Sequence, residues 1–236
     1  MASAESRSIF DKSNPDGIYP QLAKLEATLE LPAGFSDALV KEDDWSFIIK
    51  LHALLETALT SLLVTAVGDT RLHDAFSRLE MSRSQTGKVD FARALELLDR
   101  PERRFIRTLS ELRNRLIHRI ENVTFDLRQY VKSLDPNKKA AFLESVAPWY
   151  GEERDENYES FKKYAAANPK VLIWLNGLMF VATMMVHVES LRYKRENEQM
   201  LVADARAQIQ QLRESTTTLQ RLIEHTPSSE PASETE

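Results

Sequence analysis

Residues 101–122 read PERRFIRTLSELRNRLIHRIEN, and the spacing of their apolar side chains decides the fold class. Phe105, Ile106, Leu109, Leu112, Leu116, Ile117 and Ile120 recur every three or four residues, the period of an amphipathic α-helix. Pro101 stands in the first turn, where a missing N–H costs nothing. At about 100° per residue, Arg113 falls inside the apolar arc. Arg107, Glu111, Asn114 and His118 share the neighbouring polar face, and Asn114 and His118, four apart, point the same way. An arginine keeps its proton, so one set among leucines must snorkel or find a carboxylate. Residues 100–119 carry seven arginines (Arg100, Arg103, Arg104, Arg107, Arg113, Arg115, Arg119) against Glu102 and Glu111. Guanidinium groups suit bidentate phosphate contact. A solvated helix face that pairs with acids elsewhere would look the same.

Outward from this helix, residues 41–67 (KEDDWSFIIKLHALLETALTSLLVTAV) are apolar almost all round, which predicts a central buried helix. Asp43 or Asp44 can cap it. His52 and Glu56, four apart, share a face with Ile48, Ile49, Leu59 and Leu63, and polar groups on such a face need partners. The expected pairing is Arg113 to Glu56 across the packed helices, with His52 one turn away.

The remaining segments are also helical in pattern. Residues 21–31 form a short helix that stops at Pro32 and Gly34, within an N-terminal leader spanning 1–40. Residues 69–81 and 89–98 read as helices around a loop at 82–88. Residues 123–134 and 136–146 give two short helices, and 147–161 a polar connection. From Pro169 to about His225 only Gly177 interrupts a long helix. Its first part, 171–188, reaches the length of a membrane span and is flanked by Arg192, Lys194 and Arg195. Asn176, Gly177, Thr183 and His187 inside it favour a core helix. From Glu189 a heptad places Val202, Ile209, Thr216 and Ile223 on one seam position and Ala205, Leu212 and Leu219 on the other. The expected organisation is a helical domain at 41–188, a coiled-coil extension at 189–225, and a disordered acidic tail at 226–236.

Composition narrows the function. The 236 residues include six glycines and no cysteine, which argues against Gly-rich phosphate loops, disulfides, thiolate metal sites and a cysteine nucleophile. The N-terminus has no apolar run of signal-peptide length, and the expected setting is cytoplasmic. The net charge of −5 argues against a generic nucleic-acid coater, so any RNA contact must come from a local basic patch.

The segment RNRLIH (Arg113 to His118), placed near the end of an apolar-striped helix, resembles the HEPN superfamily, whose signature is an Arg, a polar residue and a His four to six residues on. DWSFIIKLHALLETAL and KVDFARALELL resemble the helices that precede that motif. The resemblance covers about residues 41–125. It implies an all-α bundle that dimerises, and a metal-independent endoribonuclease of the kind found among toxins and phage-defence effectors. By motif position the catalytic set is Arg113, Asn114 and His118, from both chains. Arg104, Arg107, Arg115 and Arg119 would hold RNA, and Glu56 and His52 would support the site. No cofactor or metal is expected; an antitoxin or sensor protein is an expected partner. The resemblance also allows a non-catalytic interaction or regulatory module. On a straight helix Arg113 and His118 point about 140° apart, so a two-fold interface is expected to bring them together. His73 reads as exposed, His187 as a core or interface histidine, and His225 as near the disordered end. Trp45, Trp149 and Trp174 read as packing anchors.

Overall fold

The computed structural model describes residues 18–118, 120–147 and 158–224. Among these residues every regular element is helical. In chain order they are α1 (Ile18–Thr28), α2 (Phe35–Lys41), α3 (Asp44–Val67), a 3₁₀ turn (Thr70–Leu72), α4 (His73–Ser77), α5 (Lys88–Ala94), α6 (Arg100–Ile117), a second 3₁₀ turn (Ile120–Thr124), α7 (Leu127–Ser133), α8 (Pro136–Val146), α9 (Tyr158–Ala167) and α10 (Pro169–Glu224). The chain divides into two compact units, residues 1–189 and 190–236.

The first unit is organised around α3. Its Phe47, Ile48, Leu51, Leu55, Leu59, Leu62 and Leu63 are wholly buried, because α2, α4, α5 and α6 all pack on it. Asp43 is its cap, accepting the Ser46 N–H at 2.9 Å. Asp44 instead ties α3 to later elements: it accepts the Leu127 N–H at 2.7 Å and meets Lys170 Nζ at 3.0 Å. The partner helix α6 opens on a reciprocal cap. Asp99 accepts the Glu102 N–H and Glu102 accepts the Asp99 N–H, each at 2.9 Å, so the helix begins one residue before Pro101. At its other end Asn122 Nδ2 donates to the Arg115 carbonyl at 2.8 Å, satisfying a group that the last turn leaves open.

Three departures from the sequence pattern have local causes. The helix α2 arises within the expected leader because Glu26 accepts the N–H groups of Gly34 and Ser36, each at 2.7 Å, and so holds its start. The helix α5 stops at Ala94, short of 98. Glu96 adopts a left-handed φ of 55°, with Leu97 N–H bonded to Ala92 O and Glu96 N–H to Arg93 O, a Schellman ending. The helix α9 begins inside the expected polar connection at 147–161, of which residues 148–157 lie outside the described residues.

The apolar start of α10 belongs to the first unit and finds its partners there. Trp174 Nε1 donates to Ser36 O at 2.8 Å, and Asn176 Nδ2 to Val146 O at 2.7 Å. A Cβ on Gly177 would lie 2.8 Å from Leu51 Cδ2, so glycine is what lets α10 lie this close to α3. Gly177→Val should therefore cost about 1–3 kcal/mol by overpacking, read as a lower urea midpoint, although leaving glycine normally favours a helix. A stabilised variant would contradict the close crossing. By length and composition α3 and α10 could each cross a membrane; 61% and 56% of their apolar windows are buried inside the protein. His187 is exposed rather than a core histidine: it lies at the edge of the buried face that Met184 and Val188 form, about 60° and 100° round α10 from them. His73 is exposed, Trp174 is buried and Trp45 half-buried, while Trp149, His225 and the tail at 226–236 lie outside the described residues.

In the second unit the heptad positions are open. Val202, Ile209 and Leu212 are 49%, 52% and 67% exposed, and Ala205 and Thr216 are exposed as well. The side chains of Leu219 and Ile223 lie outside the described residues.

Candidate functional site

One cavity of about 390 Å³ gathers five residues singled out by the sequence: His52, Glu56, Arg113, Asn114 and His118. Helix α3 supplies the first two. Helix α6 supplies Ser110, Arg113, Asn114 and Ile117, and the segment from Ser77 to Ser82 closes the side. His118 follows the last residue of α6 with φ −87° and ψ −4°. The helix ends there, and the cavity wraps its last turn. Arg113 and His118 thus line the same cavity in a single chain, and no second chain is needed for that. Arg113 is half-buried, whereas Asn114 and His118 are exposed to solvent.

The floor is a polar chain running inward. His52 Nε2 lies 3.2 Å from Ser110 Oγ, and Ser110 Oγ donates its proton to Ile106 O at 2.9 Å. The other imidazole nitrogen, Nδ1, faces Glu56 Oε2 at 3.8 Å. Glu56 Oε1 accepts from Lys88 Nζ at 2.7 Å, and Lys88 also donates to Ser77 O at 3.2 Å. Lys88 is 1% exposed. This replaces the expected Arg113–Glu56 pair: Arg113 Nη1 turns to Asn114 Oδ1 at 3.0 Å instead. The reason is reach along the fold. Gly87 sits so close to the backbone of Arg83 that a Cβ would lie 2.6 Å from it, and this tight approach starts α5 at Lys88 with its side chain pointing inward. Sequence reasoning missed Lys88, which it left in a loop, and also Ser110 and Arg78, which lines the cavity.

Burial pushes the His52 imidazole down from its ordinary 6.5 to about 4; Glu56 pulls it up, while Arg113 and Lys88 push it further down. The unfolded chain takes up this proton near pH 6.5 and the folded chain only near 4. The contribution to stability is therefore complete above pH 6.5 and is lost as pH falls through that window, by about 3 kcal/mol. In His52→Leu this part of the acid sensitivity should vanish. Unfolding free energies at pH 7 and pH 4, compared between wild type and variant, test it; equal slopes would contradict the burial of a neutral imidazole.

The arginines expected to hold RNA lie elsewhere. Arg104 donates to Ala141 O and Glu144 Oε2, both at 3.1 Å, and Arg107 to Asp90 Oδ1 at 3.0 Å. The Arg115 guanidinium carbon stands 5.0 Å over the Tyr130 ring. None of these three lines the His52 cavity. Arg119 lies outside the described residues. Among the described residues no three His, Asp or Glu side chains gather as a metal ion would require.

Compared with protein-family models, with curated proteins and with solved structures, the chain matches none.

Proposed function

We propose that the chain is a metal-independent endoribonuclease of HEPN type, acting in the cytoplasm as a homodimer. The observation that carries this reading is the joint lining of one solvent-open cavity by Arg113, Asn114 and His118. RNA brings its own nucleophile. His118 takes the 2′-OH proton, the 2′-oxygen attacks phosphorus, and the 5′-oxygen leaves with a proton supplied by the same residue of the second copy. Arg113 stabilises the charge that builds on the phosphorane, and Asn114, bonded to Arg113, orients the guanidinium. The products are a 2′,3′-cyclic phosphate and a 5′-hydroxyl, and DNA, lacking the nucleophile, is inert. The open heptad seam of the second unit supports pairing of two copies as a short coiled coil. The corresponding cellular role, taken from the resemblance, is a toxin or phage-defence effector restrained by an antitoxin or sensor protein.

A second reading is a non-catalytic HEPN-like interaction module. The Lys88–Glu56–His52 chain favours it, since that network holds α3, α5 and α6 together whatever the cavity does. The two readings separate in a paired assay of RNA cleavage and growth arrest on wild type and His118→Ala. Cleavage by the wild type that is lost in the variant supports the nuclease; equal behaviour of two folded dimers rules it out.

A further inference from the structure

On the N-terminal half of α6 a different groove, of about 680 Å³, opens between α6, α5 and the loop before α5. Five guanidinium groups line it: Arg93, Arg100, Arg103, Arg104 and Arg107. Asp90 and Glu111 oppose them within the lining, and Glu144 pairs with Arg104 Nη2 at 3.1 Å from outside it, which leaves two cations in excess. Asp90 is already shared, meeting Arg107 Nη2 at 3.0 Å and Arg93 Nε at 3.4 Å. Arg103 donates to Leu98 O, a contact that fixes its guanidinium without neutralising it, whereas Arg104 donates both to Ala141 O and to the Glu144 carboxylate. Arg93, Arg104 and Arg107 remain 58%, 44% and 44% exposed. The local cation excess stands against a chain whose net charge is −5. No aromatic side chain lines the groove, so it offers nothing on which a base could stack.

We propose that this groove binds the phosphodiester backbone of the RNA strand whose scissile phosphate occupies the His52 cavity. The inference rests on the ribonuclease reading, and it adds Arg93, Arg100 and Arg103 as binding residues. Along α6 the positions Arg107, Glu111, Asn114 and His118 form one stripe, which leads from the groove to the cavity. From Arg107 back to Arg100 the groove lies about 10–21 Å from Asn114 at ~1.5 Å per residue. At the ~3.4 Å stacked spacing this places its phosphates about three to six nucleotides from the cut. Arginines that meet phosphates and no bases give a sequence-tolerant, salt-dependent hold. The groove does not sense the 2′-OH, so RNA is told from DNA only at the cut.

The test measures equilibrium binding of labelled oligouridines about 4 and about 16 nucleotides long, across salt, in the His118→Ala background. Adding Arg93→Gln with Arg100→Gln should lower the salt slope for the longer strand by about 1.4 and raise its Kd about 25-fold near 0.1 M salt. Arg93→Lys with Arg100→Lys should keep the slope. Lys41→Gln with Arg71→Gln removes equal charge at residues that line neither groove nor cavity, and should leave the slope unchanged. A DNA strand of the same length should compete as well as RNA. Equal losses in the two Gln pairs, or an unchanged slope in the groove pair, overturns the proposal. If wild type cleaves RNA while the groove pair keeps its slope, the groove inference falls and the ribonuclease stands. If the long strand binds through the groove and wild type never cleaves, the ribonuclease reading falls, and with it the scissile phosphate in the cavity, while the groove remains a backbone-binding site.

Discussion

His118→Ala should slow RNA cleavage about 10²- to 10⁴-fold, the range set by losing one positioned proton-transfer group. The fold should survive the change. His118 is exposed and sits just beyond α6, where Asn122 rather than the imidazole bonds the Arg115 and Leu116 carbonyls. Retained helical content and an unchanged oligomeric state, with cleavage gone, is therefore the expected combination. Arg113→Ala should be as damaging to rate and milder for stability than loss of a fully buried charge, since Arg113 is half-buried and its bonded partner, Asn114, is exposed. Arg113→Lys should rescue poorly, because an ammonium lacks the planar fork that spans two phosphate oxygens. Wild-type products should end in 2′,3′-cyclic phosphate, and specific activity should rise with protein concentration if each copy supplies one proton-transfer group to a shared site. A wild-type dimer inert toward RNA, or an alanine variant cleaving at the wild-type rate, would remove the assignment.

The two helices that frame the site were legible because their signals are local. The all-round apolar pattern of α3 and the three-to-four spacing of α6 need no knowledge of neighbours, and Pro101 and Asp43 mark their starts. The gathering of His52 and Glu56 with Arg113 also follows from those faces, once α3 packs on α6, but His118 joins them only because α6 ends at Ile117, where a straight helix would have pointed it about 140° away from Arg113. What the pattern could not show was decided at a distance. Glu56 finds its cation 32 positions along the chain, in a lysine that local composition places in a loop. The lone charge in an apolar arc, Arg113, looked like the needier partner, yet it is near enough to solvent and to Asn114 to do without Glu56. Short helices fail for a related reason. Seven residues of α2 carry too little periodicity, and its start is fixed by Glu26, eight and ten positions back.

The Lys88–Glu56 pair should show a strongly asymmetric mutational response. Lys88 is 1% exposed at its side chain and Glu56 is 32% exposed. Glu56→Leu strands a buried ammonium with Ser77 O as its remaining bond, at a cost of about 3–5 kcal/mol. That is a large share of the roughly 5–15 kcal/mol that holds a domain together. Lys88→Met strands only a carboxylate that water already reaches, so about 1–2 kcal/mol is expected. The double variant Glu56→Leu/Lys88→Met has no charge left to solvate and should recover to within about 1 kcal/mol of wild type, a coupling of several kcal/mol across the cycle. Urea unfolding of the four proteins measures it, and losses that simply add would mean the pair is not the buried contact that the geometry describes. The stable double variant then isolates what the carboxylate does for the cavity. If Glu56 serves only to hold α3 against α5, cleavage in the double variant should match wild type. If it also fixes the His52 ring beneath Arg113, cleavage should fall although the fold is restored.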